Sequence, residues 1–234
     1  MLVLAIETST PQTTVALGTD QGVIAAAQVA WGRGHTEIVG PAIDHLLEWS
    51  EIELAQIGGV AVGLGPGSFT GLRVGVATAR AIAQVLSLPV VGISSLDVLA
   101  FDVRYTRNRI CAVIDAKRGE VYSAFYQPVP GGVTREAGFG VGSPDRLAAD
   151  LQVSPEEVLL VGDGALVYQR ELAGAGPHLE FASVAHAFPQ AVALMELALP
   201  RFIREETSRP AEVTPLYIRK PDAKIDWNAR ARSG

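Results

Sequence analysis

The chain has 234 residues, 48% of them apolar and 19% charged, with a formal charge of −6. That length and apolar share can build one large core or two small ones. The negative balance argues against tight non-specific binding of a phosphate backbone by this chain alone. The single cysteine, Cys111, rules out an internal disulfide and a four-thiolate zinc site.

Residues 2–7 are apolar up to Glu7 and have no basic stretch before them, so they read as a buried strand rather than a signal peptide. No run approaches the roughly 18 apolar residues that span a bilayer, and a reducing cytoplasm is the expected location. Thr8-Ser9-Thr10-Pro11 is turn chemistry. Residues 14–17 and 23–29 read as two more strands of a meander. A helix is expected over 36–50, capped by Thr36. Its apolar face carries Ile38, Val39, Ala42, Ile43, Leu46, Leu47 and Trp49. Pro41 weakens its first turns, because proline lacks the N–H that an interior position donates.

Residues 58–88 are the most informative stretch. A β-branched run at 60–62 meets Gly63, Gly65, Gly67 and Gly71, and a helix is expected over 70–87. Such a loop can hold a tight turn, expose N–H groups to an anion, or let two backbones come close. In the helix, Gly75, Ala77, Ala79, Ala81 and Ala83 alternate with Val74, Val76, Ile82 and Val85. That pattern is apolar nearly all round and suits burial on two sides. A strand at 89–93 and a helix capped by Ser94 or Ser95 close a first α/β unit, residues 1–103.

A second unit, residues 104–218, opens with strands at 110–115 and 120–127 around Ala116-Lys117-Arg118-Gly119, a hairpin pattern. Residues 128–142 read as a loop or short edge strand. Ser143-Pro144 reads as a helix start. A strand at 158–161 ends in Gly162-Asp163-Gly164, and a helix follows over 189–204. Residues 219–234 form a basic tail.

Four histidines, His35, His45, His178 and His186, offer no pair at metal-binding helical spacing. Ser68 lies in a glycine-rich run, but Pro66 and Thr70 stand where a hydrolase elbow needs glycine. Cys111 falls mid-strand, the place of a small core residue. Phosphate binding is the better case: Thr8 and Ser9 hydroxyls in a turn, Glu7 toward a hydrated Mg²⁺, and N–H groups at a helix start. The P-loop lysine is missing, so turn-making alone is the competing account.

The segments Leu4-Ala5-Ile6-Glu7-Thr8-Ser9, Gly63-Leu64-Gly65-Pro66-Gly67-Ser68-Phe69-Thr70-Gly71-Leu72-Arg73, Ile114-Asp115-Ala116-Lys117-Arg118-Gly119-Glu120-Val121-Tyr122 and Pro215-Leu216-Tyr217-Ile218-Arg219 resemble the TsaB (YeaZ) family. The resemblance implies an α/β, two-lobed actin-like ATPase or sugar-kinase (ribonuclease H-like) fold. It implies a noncatalytic part in forming threonylcarbamoyladenosine at position 37 of ANN-decoding tRNAs. The partners it implies are the catalytic subunit TsaD and the ATPase TsaE. It further implies a homodimer when the chain is alone, tRNA contact only through the complex, and no membrane. ATP and metal would sit on the partner subunits. The docking surface it implies is built from the first two helices: Ile38, Val39, Ala42, His45, Leu46 and Trp49, then Leu72, Gly75, Val76, Ala79 and Ala83. The alternative is an ATP-dependent phosphotransferase or ATPase of the same fold, working through Glu7, Thr8, Ser9 and Asp115. A peptidase is a weaker one, lacking both metal pair and serine elbow.

Overall fold

A computed structural model describes residues 1–30, 34–153 and 156–219. The N-terminal run forms β1 (Val3–Glu7), β2 (Thr13–Thr19) and β3 (Gly22–Val29), an antiparallel meander. α1 (His35–Trp49) leads to β4 (Gly59–Gly63), then α2 (Phe69–Leu86) to β5 (Val90–Ile93). β4 pairs with β1 and β5 with β4, both parallel, giving the order β3-β2-β1-β4-β5. Covered on both faces, the central strands are continuous apolar runs. Val39, Ile43 and Leu46 of α1 and Val76, Ala79 and Ala83 of α2 bury one face of this sheet.

α3 (Ser95–Asp102), capped by the Ser94 hydroxyl, which accepts from Leu96 N–H, lies on the other face. Val98 and Phe101 point to the first sheet, whereas Leu96, Leu99 and Ala100 point to a second. That sheet comprises β6 (Arg109–Lys117), β7 (Glu120–Val129), β8 (Gly132–Arg135) and β9 (Gly140–Gly142). α4 (Pro144–Val153), β10 (Val158–Val161), α5 (Asp163–Val167), α6 (Gln169–Ala173) and β11 (Leu179–Phe181) complete it. Its order, β11-β10-β6-β7-β8, repeats the first sheet's topology: an antiparallel pair beside a parallel trio. Finally α7 (Ala191–Ile203) returns to the first sheet, where Leu194, Met195, Ala198 and Phe202 pack on Val3, Ala5 and Ala61.

Several expectations need correction. Residues 104–218 are not one lobe: α7 packs on the first sheet, and Val213 enters the core beneath α1 and α2. Arg219 does not belong to a free tail, since its guanidinium pairs with Glu120; residues 220–234 lie outside the described residues. Gly34, not Thr36, precedes the first helix, and no side chain caps it. Pro41 leaves that helix unbroken, because Ile38 and Val39 already anchor its first turns to the sheet. Residues 128–142 hold two short strands, and α5, α6 and β11 were not foreseen. All three elements are five residues or fewer, too short for periodicity to register.

Candidate functional site

The glycine loop does the third of its possible jobs. Gly63, Gly67, Gly71 and Gly75 recur every four residues, and each lies against the last residue of β1 or the turn that follows it. A Cβ at any of them would collide: with the Glu7 carboxylate, the Ser9 carbonyl, the Thr8 carbonyl and the Thr8 hydroxyl respectively. The close approach is then locked by hydrogen bonds. Ser68 N–H donates to the Ser9 carbonyl at 2.7 Å, and Thr8 Oγ1 donates to the Gly71 carbonyl at 2.8 Å. Ser68 itself is a helix cap whose hydroxyl accepts from Gly71 N–H at 3.3 Å. α2 begins at Phe69 rather than Thr70.

Glu7 lies fully buried beneath this turn. Its carboxylate accepts from Ser9 N–H at 2.7 Å and from Ser95 Oγ at 2.9 Å. Burial pushes its pKa up, against those hydrogen bonds. Glu7 and Thr8 are thus spent on tying the turn to α2 and α3, and neither lines the cleft between the lobes. That corrects their assignment as ligand contacts.

Ser9 and Asp115 do converge on the cleft, a cavity of about 590 Å³ also lined by Thr10, Phe69, Lys117, Asp163 and Tyr217. Ser9 Oγ and Thr10 Oγ1 are buried there without a hydrogen-bond partner among the described residues. The fold family implies a nucleotide with its metal at such a cleft, and these residues do not fit one. The Asp115 carboxylate is taken by Lys117, whose backbone N–H donates at 2.8 Å and whose ammonium donates at 2.7 Å. Lys117 and Arg118 hold left-handed backbone, φ 62° and 58°, and put bulky cations where glycine would free the loop for phosphate. Asp163, which the sequence reading passed over, accepts from Asp115 N–H at 3.1 Å. Burial chiefly raises its pKa to about 6. The signal was available: Gly162-Asp163-Gly164 follows an apolar strand much as Gly63 does. Among the described residues no three metal-type side chains come together.

The expected docking surface divides in two. Val39, Leu46, Leu72, Gly75, Val76, Ala79 and Ala83 are buried in the chain's own core, Ala79 with 0% exposure, and Ile38 is nearly so. They hold α1 and α2 to the sheet and are not available to another protein. His45 and Trp49 are exposed and Ala42 is half-buried. Missed by the sequence reading as a surface, Ala77, Arg80, Ala81 and Val85 line the outward face of α2. Alternation along the sequence could not separate Ala77 from Ala79, because both are small.

The family profile described as TsaD, tRNA N6-adenosine threonylcarbamoyltransferase, matches residues 28–227. A protein of Escherichia coli named tRNA threonylcarbamoyladenosine biosynthesis protein TsaB is 32% identical, over 94% of this chain and 95% of its own. A Haemophilus influenzae protein of the same name is 33% identical over 97% and 96%. The chain belongs to the TsaB (YeaZ) family. Among solved structures, YeaZ from Pseudomonas aeruginosa superposes with a TM-score of 0.81 at 27% identity, covering 93% of this chain and 99% of that one. The ethanolamine utilization protein EutJ of Carboxydothermus hydrogenoformans shares the fold alone, with a TM-score of 0.50 and 13% identity, over 85% and 90% of the two chains. The two-lobed actin-like architecture is therefore that of this chain. Among the described residues no helix is long and apolar enough to cross a membrane.

Proposed function

We propose that this chain is a noncatalytic subunit in threonylcarbamoyladenosine formation at position 37 of ANN-decoding tRNAs. It docks a TsaD-type catalytic subunit and holds it in its active form. The observation that carries the reading is the open outward face of α2, where Ala77 and Ala81 leave room for a close helix and Val85 stands 80% exposed. ATP and metal belong to the catalytic subunit and to the TsaE ATPase. tRNA is reached only through the complex, in keeping with the charge of −6. Alone, the chain pairs with itself through the same face.

Ala77→Arg tests this. The residue is exposed, so the arginine leaves folding intact while blocking the approach of a helix. Co-purification with the catalytic subunit and tRNA modification in a complemented depletion strain should both be lost. Survival of both overturns the proposed face. A second reading, a ligand in the interlobe cleft, is favoured only by the unpaired Ser9 and Thr10 hydroxyls. Calorimetry with ATP and Mg²⁺ decides it: micromolar binding that Ser9→Ala removes would establish a ligand-binding role.

A further inference from the structure

Between α1 and β3, the edge strand of the first sheet, runs a groove of about 820 Å³ walled by Ala26, Val29, Pro41, Ala42, His45 and Trp49. Trp49 is 69% exposed, and the His45 imidazole stacks on its indole with centroids 5.4 Å apart. β3 carries no charged residue, so it lends the groove no charge. The lip is acidic. Residues 34–72 contain Glu37, Asp44, Glu48, Glu51 and Glu53 and no lysine or arginine. Glu37, Asp44 and Glu48 are exposed. Their spacing of seven and four residues puts them on one line along α1 at about 3.6 residues per turn. In a two-fold pairing a patch meets itself, so two copies joined here would set acidic ridge against acidic ridge, which opposes association.

The chain carries its own complement to this groove. Residues 220–234, outside the described residues, read Lys-Pro-Asp-Ala-Lys-Ile-Asp-Trp-Asn-Ala-Arg-Ala-Arg-Ser-Gly, four cations against two carboxylates. Ile225 and Trp227 stand between Lys224 and Arg230, and residues two apart share a face when a segment is extended. Lys224 to Arg230 spans about 20 Å of extended chain at roughly 3.3 Å per residue. Glu37 to Glu48 spans about 17 Å of α1 at roughly 1.5 Å per residue. Lysine and arginine stems absorb a difference of about 3 Å. Cations at both ends can therefore meet carboxylates at both ends, with the apolar pair over the middle of the groove. The starting point fits as well. Arg219 and His35, the first residue of α1, line the same cleft, so the segment sets out beside the end of α1 that carries Glu37. From Arg219 to Lys224 the reach is about 17 Å. A tethered segment also acts at an effective concentration of about a millimolar, which lets a modest contact fill its site.

We infer that residues 220–234 of the chain itself fold back along α1 and seat Ile225 and Trp227 in the α1–β3 groove. The contact covers Trp49 in the free chain, so any protein that needs this flank must first displace the segment. It leaves the Ala77 face untouched and does not depend on the docking reading above. The full chain tests it by nuclear magnetic resonance, with a nitroxide on Ala231→Cys; the one native thiol, Cys111, is buried. Amide signals of residues 26–29 and 42–49 should broaden and return when the label is reduced, while those of β10 stay sharp. Glu37→Lys/Asp44→Lys/Glu48→Lys, at exposed positions, should release the segment and abolish the broadening. Ile225→Ser/Trp227→Ser, which removes the apolar pair and keeps the acidic lip, should do the same. Release by either variant supports the seat. Sharp groove signals in the labelled parent overturn the inference and leave the groove to a separate protein. Broadening that both variants leave in place overturns it too. Finally, labelled chain is mixed with unlabelled, isotope-enriched chain. Broadening in that mixture assigns the groove to the segment of a second copy, and the inference is again overturned.

Discussion

Asp163 shows how a buried carboxyl at the cleft ties stability to pH. Its ordinary pKa of 3.8 rises to about 6 in the folded chain, mainly through burial. Between those values the folded state holds a proton that the unfolded state has released. The stability this contributes is complete below 3.8 and is lost as pH rises through about 6. Asn in this place keeps an acceptor for the Asp115 N–H and cannot ionise. Asp163→Asn should therefore gain on the parent as pH rises, by up to about 3 kcal/mol between the two limits. Thermal melts of both proteins at acidic and neutral pH check this; an unchanged difference in melting temperature would remove the burial account. Glu7 is shifted the same way, but its two hydrogen bonds to Ser9 and Ser95 make it a structural pin whose removal disturbs far more than a charge. At Gly71 the reason for the residue is equally local. The Thr8 carbonyl occupies the space of a side chain, so the turn and the helix meet only if none is there.

At the scale of elements, α2 separates a core residue from a surface residue two positions apart. Ala79 faces the sheet with 0% exposure and Ala77 faces outward. Ala79→Arg buries an unpaired charge, at a cost of about 3–5 kcal/mol, a large part of the total for a domain of this size. It should melt at much lower temperature or fail to accumulate as soluble protein. Ala77→Arg should stay within about 0.5 kcal/mol of the parent, as exposed substitutions do. Circular-dichroism melts of the pair test the assignment; equal stability would mean that the helix is turned differently on the sheet. This is also where the sequence stopped being legible. Strands β1, β2, β4 and β6 and helices α1 and α2 were readable from apolar runs and 3.6-residue spacing. Which small residue of α2 faces inward was not, because Gly75, Ala77, Ala79, Ala81 and Ala83 all satisfy a close approach. In the glycine loop the residue types were readable and their use was not. Gly63, Gly67, Gly71 and Gly75 could equally have freed N–H groups for an anion, and only the β1–β2 turn lying against them decides the matter.

At the scale of the molecule, two sheets of matching topology are joined by segments distant in sequence. α3 lies between them, and α7 crosses back to the first sheet. Residues 213–219 then run from one lobe to the other along the cleft. Val213 is buried under α1 and α2, Leu216 N–H donates to the Leu64 carbonyl at 2.7 Å, and Tyr217 meets Phe69 with ring centroids 5.5 Å apart. Beyond these, Ile218 packs on the second core and Arg219 pairs with Glu120 beside the β6–β7 turn. Val213 and Ile218 anchor the two ends of this strap in the two cores, and between them the main-chain hydrogen bond of Leu216 and the ion pair of Arg219 fix its path along the cleft. Leu216→Pro removes the donor, and Arg219→Ala removes the pair. In the double variant the strap should detach while both sheets persist. Amides of the Leu64–Phe69 loop and of the β6–β7 turn should then exchange hydrogen about tenfold faster, matching a loss of about 1.4 kcal/mol of local protection. Amides of β1 and β6 should keep their rates, since each lies in the middle of its own sheet. Hydrogen-exchange mass spectrometry separates the outcomes. Faster exchange confined to the cleft margins makes the strap a clasp between the lobes. Unchanged exchange there means that α3 and α7 alone set how the lobes meet.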